Sequence, residues 1–467
     1  MSGSERDASL RLADSVCMNR LRAHLSAIRS SYWFVPSVMA LLAILLGAAM
    51  IWLDVRLGSS FIKGVSWYQQ IRPEGAREVL STIAGSMVTV AGVVFSITIV
   101  ALSYASSQYG PRVLTNFMSD RGNTVTLGTF IATFLYSLMV LRTIRGGEQD
   151  FVPQYSVIVA MLLAVCSIGV LIYFIHHVLQ SIHINNVVAR IGEQLVGDAR
   201  VRFPQLAGDD TSGDSPKRAE LEGKVTVATS SETGYIQSLD GDQMLDLARN
   251  ADVLIRIRYR PGDFIMNGRG LADIAPAERW SDERSEVLRE CFTVGAKRTP
   301  DSDLMFLVSE LVEIAARALS PGVNDPMTAV TCLDWLGAGG TEFATRELPA
   351  VVRVDEDGTP RLIASTDDFA FFVDRSFGHL REYAANDTIA GLHLLQVIGE
   401  VAASCRRPDQ IDVLRAEAVR FAELARTALS GPNGRAVQDR AADLQHLMSR
   451  GAGRIDAGQA EWLGGSA

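Results

Sequence analysis

Apolar residues run in long blocks through the first 180 positions and in short periodic groups after them. Four blocks, at 33–53, 81–112, 122–141 and 151–175, have the length a helix needs to cross a hydrocarbon core. Trp33 and Trp52 stand at the two ends of the first, where amphipathic rings prefer the interface. The second carries no charge from Val79 through Pro111, the third none until Arg142, and the fourth runs into His176 and His177. Residues 55–80 read as a polar loop, with Trp67 and Tyr68 marking a short interfacial segment. No Asp, Glu, Lys or Arg falls within the four apolar cores, which argues against the intramembrane charge relays of proton-coupled transporters.

The pattern then changes. Residues 180–223 begin with helical spacing (Ile184, Val187, Val188, Ile191, Leu195) and break into GDDTSGDSPKR, a linker composition. Strands are predicted at 224–229, 234–239 and 253–260, the last by alternation of Val253, Ile255, Ile257 and Tyr259 with Leu254, Arg256, Arg258 and Arg260. A short helix is expected at 241–249, with turns at Pro261-Gly262-Asp263 and Asn267-Gly268. An amphipathic helix follows at 304–319 and stops at Ser320-Pro321-Gly322. Asp325 reads as the N-cap of a helix opened by Pro326 and running to 336. A hairpin is predicted around Asp357-Gly358, four helices from 368 to about 448, and a frayed tail after 450.

The expected fold is an α-helical membrane protein with four transmembrane helices and a cytoplasmic α+β part. Its segments are an N-terminal segment 1–32, the spans 33–178, a connector 179–223, a small β-rich module 224–275, a helical domain 276–450 containing the hairpin, and the tail 451–467. Charge supports the division: residues 1–189 carry a net +4 and the remainder −13. An acidic C-terminal half lacks the basic face that nucleic-acid binding needs. Basic residues near the span ends number ten on the side of the N-terminus against six on the other, which favours both termini in the cytoplasm. The five cysteines are scattered with no CxxC, as in a reduced compartment, and a cleavable signal peptide is not expected.

The second block is unusual within itself. Gly85, Thr89, Gly92, Ser96, Ser103 and Ser107 recur at steps of three and four, with Ile99 as the interruption, so small and hydroxylated residues fall along one helical face. Val88, Val94, Phe95, Val100 and Leu102 are assigned to the other side. Such a seam either packs another helix closely or meets water in the path of an oligomeric channel. Its inner end, Ser106-Ser107-Gln108-Tyr109-Gly110-Pro111-Arg112, offers Gln108, Tyr109 and Arg112 as a polar mouth that packing alone does not require.

Four segments, TIAGSMVTVAGVVFSITIVALSYASSQYGPR, LIYFIHHVLQSI, TGYIQSLD…PGDFIMNG and RT…ELVEIAARALSPGVNDPMTA, resemble in wording and order the bacterial family of predicted membrane proteins catalogued as domain of unknown function 2254. The resemblance implies the fold and membrane topology and brings no activity with it.

Three further groups are candidates. His176, His177 and His183 lie where the fourth span leaves the membrane, the first and last seven apart on one helical face; they serve as polar anchors, a pH sensor or a metal site. Arg298, Arg317, Asn324 and Asp325 gather around the SPGVNDP loop, where capping or a small-ligand pocket accounts for them; Glu313 and Arg317 are spaced to pair on one helix. The end of the β-rich module is similar to biotinyl- and lipoyl-carrier domains, but its one lysine, Lys224, is at the edge, so covalent carriage is not expected. Phosphate-loop, HExxH, GxSxG and dinucleotide signatures are absent, so no enzyme and no cofactor is expected. The expectation is an oligomeric channel with a cytoplasmic vestibule or gate, or else a membrane-anchored sensor or scaffold; the partners expected are the lipid bilayer and further copies of the chain.

Overall fold

The computed structural model describes residues 33–57, 72–109, 121–145, 151–203 and 219–449. They divide into two compact units, Met1–Asn186 and Val187–Ala467. The N-terminal segment 1–32, the interfacial residues Trp67 and Tyr68, the linker after 203 and the tail lie outside the described residues.

The first unit holds four helices long and apolar enough to cross a membrane: α1 (Phe34–Leu57), α2 (Pro73–Tyr109), α3 (Arg121–Thr143) and α4 (Gln154–Ile182). Helix α2 starts earlier than the composition of 55–80 suggests, because Pro73 suits a first helical position and Glu74 complements the helix's positive end. Helix α3 touches all three of the others and is the most buried of the four. Two apolar clusters fill the interior: Ala43, Ala76, Leu80, Tyr136, Val140, Ile144, Val157 and Ala160 toward one end, and Met87, Val94, Ala101, Phe130, Phe174 and Val178 toward the other. The first end is also tied by polar contacts. Arg77 donates to the Ile144 carbonyl at 3.2 Å, and Arg145 and Phe151 form a two-residue β-bridge.

Helix α5 (Ile184–Arg202), which belongs to the second unit from Val187 on, buries Val187, Val188, Ile191, Leu195 and Ala199 along one face. Next come β1 (Thr226–Thr229), β2 (Gly234–Leu239), α6 (Gly241–Ala251), β3 (Leu254–Ile257), β4 (Phe264–Ile265), β5 (Gly270–Ala275), α7 (Asp282–Glu290) and β6 (Phe292–Gly295). Helices α8 (Leu304–Ala318) and α9 (Pro326–Thr345) precede the hairpin β7 (Val352–Val354) and β8 (Pro360–Ile363). The chain closes with α10 (Phe369–Val373), a π-helical turn at Asp374–Gly378, α11 (His379–Ala384), α12 (Thr388–Ser404), α13 (Pro408–Ala428) and α14 (Gly431–Met448).

Strands form a five-stranded sheet, β1-β5-β3-β8-β7, and a three-stranded sheet, β4-β2-β6. Strand β8 pairs in parallel with β3, so the hairpin belongs to the β-rich part and not to the helical domain where its sequence position put it. The module is therefore not confined to 224–275; β6, β7 and β8 complete its sheets from beyond that boundary. Its core joins Ile236, Met244, Ile255, Ile274 and Leu288 with Leu362 of the hairpin.

Helix α9 extends nine residues past the expected stop at 336. Gly337, Gly339 and Gly340 look like breakers in isolation. Here they are contact points: a Cβ at these positions would meet Val397, Leu195 and Phe372 respectively. Absence of side chain at the contact lets α5, α10 and α12 approach α9 closely, and that packing outweighs the helix-propensity cost of glycine, about 1 kcal/mol each.

Candidate functional site

The seam on α2 faces away from its own bundle. The side of α2 packed inward carries Ala84, Met87, Val94, Thr98 and Ala101, all buried. At 100° per residue the seam lies diametrically opposite, and Gly85, Thr89, Gly92, Ser96 and Ser103 are all exposed. Among the described residues, no heavy atom beyond the helix's own backbone lies within 4 Å of where a Cβ would stand at Gly85 or Gly92. Val94 is thus a core residue, whereas Val88, Phe95 and Val100 flank the seam on the outer surface and Leu102 is half-buried. The expected two-sided division of the helix is corrected accordingly. The hydroxyls of Thr89 and Ser96 donate to the Gly85 and Gly92 carbonyls one turn back, at 3.0 and 2.9 Å. With the proton spent on the helix itself, each hydroxyl turns only oxygen lone pairs outward. Ser107, Gln108 and Tyr109 close the last turn of α2, while Arg112 lies outside the described residues.

The histidines do not share a helix face. Helix α4 ends at Ile182, and His183 is its extended C-cap residue, which breaks the seven-residue spacing from His176. His176 is exposed and His177 stacks on Tyr173, ring centroids 5.3 Å apart. Among the described residues no three His, Cys, Asp or Glu side chains are grouped to hold a metal ion.

The loop group also separates. Asp325 caps α9, accepting from the Thr328 amide at 3.2 Å and its hydroxyl at 2.6 Å. Asn324 sits beside it in the left-handed region, φ 52°, which asparagine tolerates. Arg298 is not at this loop. It forks onto Asp303 at 2.8 and 2.6 Å, and Asp303 in turn caps α8 through the Phe306 amide. The ligand pocket expected from Arg298, Arg317, Asn324 and Asp325 together is therefore not assembled, because Arg298 is committed to the start of α8 while the loop lies at its end. Gly262 is a turn residue at φ 92°, packed so closely that any side chain would overlap the Asp303 carboxylate.

Several polar features had no sequence signal. Asp54, one residue past the predicted first span, is buried in the last turns of α1. Its carboxylate accepts from the amides of Tyr155 and Ser156, both at 2.9 Å, and from the Ser156 hydroxyl at 2.5 Å. It caps α4 from another helix, where Pro153 offers no side-chain cap of its own. Within the bundle, Thr133 and Ser167 hydroxyls bond at 3.0 Å, and Asn123 in the first turn of α3 and Ser137 are buried with no side-chain hydrogen-bond partner among the described residues.

In the second unit a cavity of about 440 Å³ opens between α10 with its π-turn and α13. Ala370, Val373, Val413 and Ala416 form apolar walls, with Asp374, Asp412, Glu417 and Arg420 around them. Glu417 is buried and held by a two-pronged Arg381 contact, 2.6 Å on each oxygen, and by Arg420 at 3.2 Å. Nearby, Arg260 lies over the Phe371 ring at 4.5 Å and 3.5 Å from Asp367. Burial pushes Asp367 up to about 6, against the pull of Arg260 and helped by the charge of Asp303. Burial likewise raises Asp303 despite the Arg298 guanidinium. The Cys291 and Cys405 thiols are pushed up to about 12 by burial, which leaves them protonated and poor nucleophiles.

Residues 29–400 match the family model described as predicted membrane protein (DUF2254). Uncharacterized proteins of Mycobacterium bovis and Mycobacterium tuberculosis are each 31% identical over 404 residues, covering 84% of this chain and 76% of the relative. No solved structure matches.

Proposed function

The chain belongs to this family of predicted membrane proteins, and from that premise we propose that it is a multi-pass protein of the bacterial inner membrane that assembles into a homo-oligomeric channel through the α2 seam. Four helices cross the bilayer, both termini are cytoplasmic, and the second unit acts as vestibule or gate. The exposure of large apolar side chains supports embedding: Leu41, Leu42 and Leu45 on α1, and Leu162, Val165 and Ile172 on α4, are all more than half exposed. A soluble protein rarely leaves so large an apolar surface bare.

The observation that carries the assembly is the direction of the seam. A stripe of glycine and hydroxyl residues aimed at lipid gains nothing, since lipid tails are best met by large side chains. Aimed at another copy, it permits close backbone approach, or it lines a path with oxygen acceptors. No enzymatic step and no cofactor is part of this reading. Recording from proteoliposomes under voltage, tension and pH change tests it: currents that Ser103→Asp alters support the channel. Silence under all three stimuli overturns it.

A second reading, a non-conducting sensor, is favoured by the cavity at the π-turn. π-Helical turns recur at functional sites, and apolar walls edged by Asp374, Asp412 and Arg420 suit a small amphipathic amine. Thermal shift of the full chain with simple amines tests this, and an unchanged melting point across the series contradicts it.

A further inference from the structure

In the helical part of the second unit, four large apolar side chains are exposed at one end: Val323 at 44%, Met327 at 61%, Tyr383 at 44% and Ile389 at 52%. Three helices fix that end. Gly192 of α5 meets Trp335 of α9, Leu195 meets Gly339, and Arg200 pairs with Glu342, so α5 and α9 run parallel. Asp334 of α9 bonds His393 of α12, and Gly337 meets Val397, so α12 is parallel to both. Carried back two turns, this register brings Met327 level with the first turn of α5 and Ile389 level with the first turn of α9. The turn at 319–325, which carries Val323, closes the same end, and Ala384, next to Tyr383, lies against Gly391 in the first turn of α12.

The start of α5 is also where the chain arrives from the last candidate span. Val187 follows Ile182, the end of α4, by five residues. We propose that Val323, Met327, Tyr383 and Ile389 form a lipid-surface contact, resting in the interfacial zone of the bilayer that α4 crosses. The side chains have the chemistry for it. Valine, isoleucine and methionine enter the acyl boundary, and tyrosine holds the headgroup level with its ring apolar and its hydroxyl wet. This rests on the reading of α1–α4 as membrane spans.

The test places p-benzoylphenylalanine singly at 165, 201, 327 or 389 in the full chain, reconstituted in phosphatidylcholine–phosphatidylglycerol vesicles, and reads lipid adducts on the tryptic peptides after irradiation. Val165 faces outward on α4 at 66% exposure, and Val201 is 80% exposed at the far end of α5, roughly 25 Å along that helix. Lipid adducts at 165 and 327, with at least fivefold less at 201, are expected. Adducts at 165 but not at 327 or 389 overturn the contact and leave the spans standing. Equal labelling at 201 and 327 also overturns it. No adduct at 165 removes the membrane reading and the contact together. Ile389 stands in for Met327 if the 327 variant does not fold.

Discussion

At the scale of single residues, two carboxylates do work their sequence neighbours do not announce. Asp367 holds its proton to about pH 6 because burial disfavours its charge. Its folded affinity for a proton exceeds its unfolded one, so the stability it contributes is complete below about pH 4 and is lost as pH rises to about 6. Asp367→Asn should therefore stabilise the chain above pH 6 by about 1–3 kcal/mol and flatten the decline between pH 4 and 6. Thermal unfolding in detergent across that range checks it; a parallel pair of pH curves contradicts the assignment. Asp54 matters for the three donors it satisfies. Asp54→Ala should cost about 2–4 kcal/mol by leaving those donors buried and unpaired, and Asp54→Asn markedly less. Equal losses in the two variants would argue that bulk, not hydrogen bonding, is what the site needs. Neither role was legible beforehand. A cap supplied from a helix about a hundred residues away has no local spacing, whereas Asp325, which caps its own helix, is read directly from the Pro326 that follows it.

At the scale of elements, glycine has two meanings that sequence alone does not separate. On α5, a Cβ at Gly192 would run into the Trp335 indole, while Gly197, one and a half turns on, faces open space. Gly192→Ala should destabilise by about 1–2 kcal/mol, the overlap exceeding what alanine gains as a helix former. Gly197→Ala should stabilise by up to about 1 kcal/mol. Melting of the two variants side by side settles the comparison, and a gain at both positions would show that Trp335 moves aside at little cost. The same ambiguity hid the length of α9, whose three glycines are contacts and not stops. Long apolar helices were plain because their signal is repeated over twenty residues. The join of β8 to β3 was not, because a parallel pairing across about a hundred residues leaves no trace in either strand. The seam on α2 was readable as a pattern, and its direction was not: a period of 3.6 tells which residues share a face and never which neighbour that face meets.

At the scale of the whole molecule, a four-helix apolar unit is followed by an acidic α+β unit, and the proposed topology puts the second in the cytoplasm. An epitope appended after Ala467 should be reached by antibody in inverted vesicles and not in intact spheroplasts; the reverse would invert the topology. The central claim is that the outward seam is where copies meet. It is tested most directly by native mass measurement of the protein in lipid nanodiscs, wild type beside Gly92→Leu. A Cβ at position 92 meets no described atom within 4 Å beyond its own helix backbone, so the variant protomer should still fold. The account predicts a discrete multiple of 50.7 kDa for the wild type and 50.7 kDa for the variant. A monomeric wild type, or an oligomer of unchanged size with leucine at position 92, contradicts it.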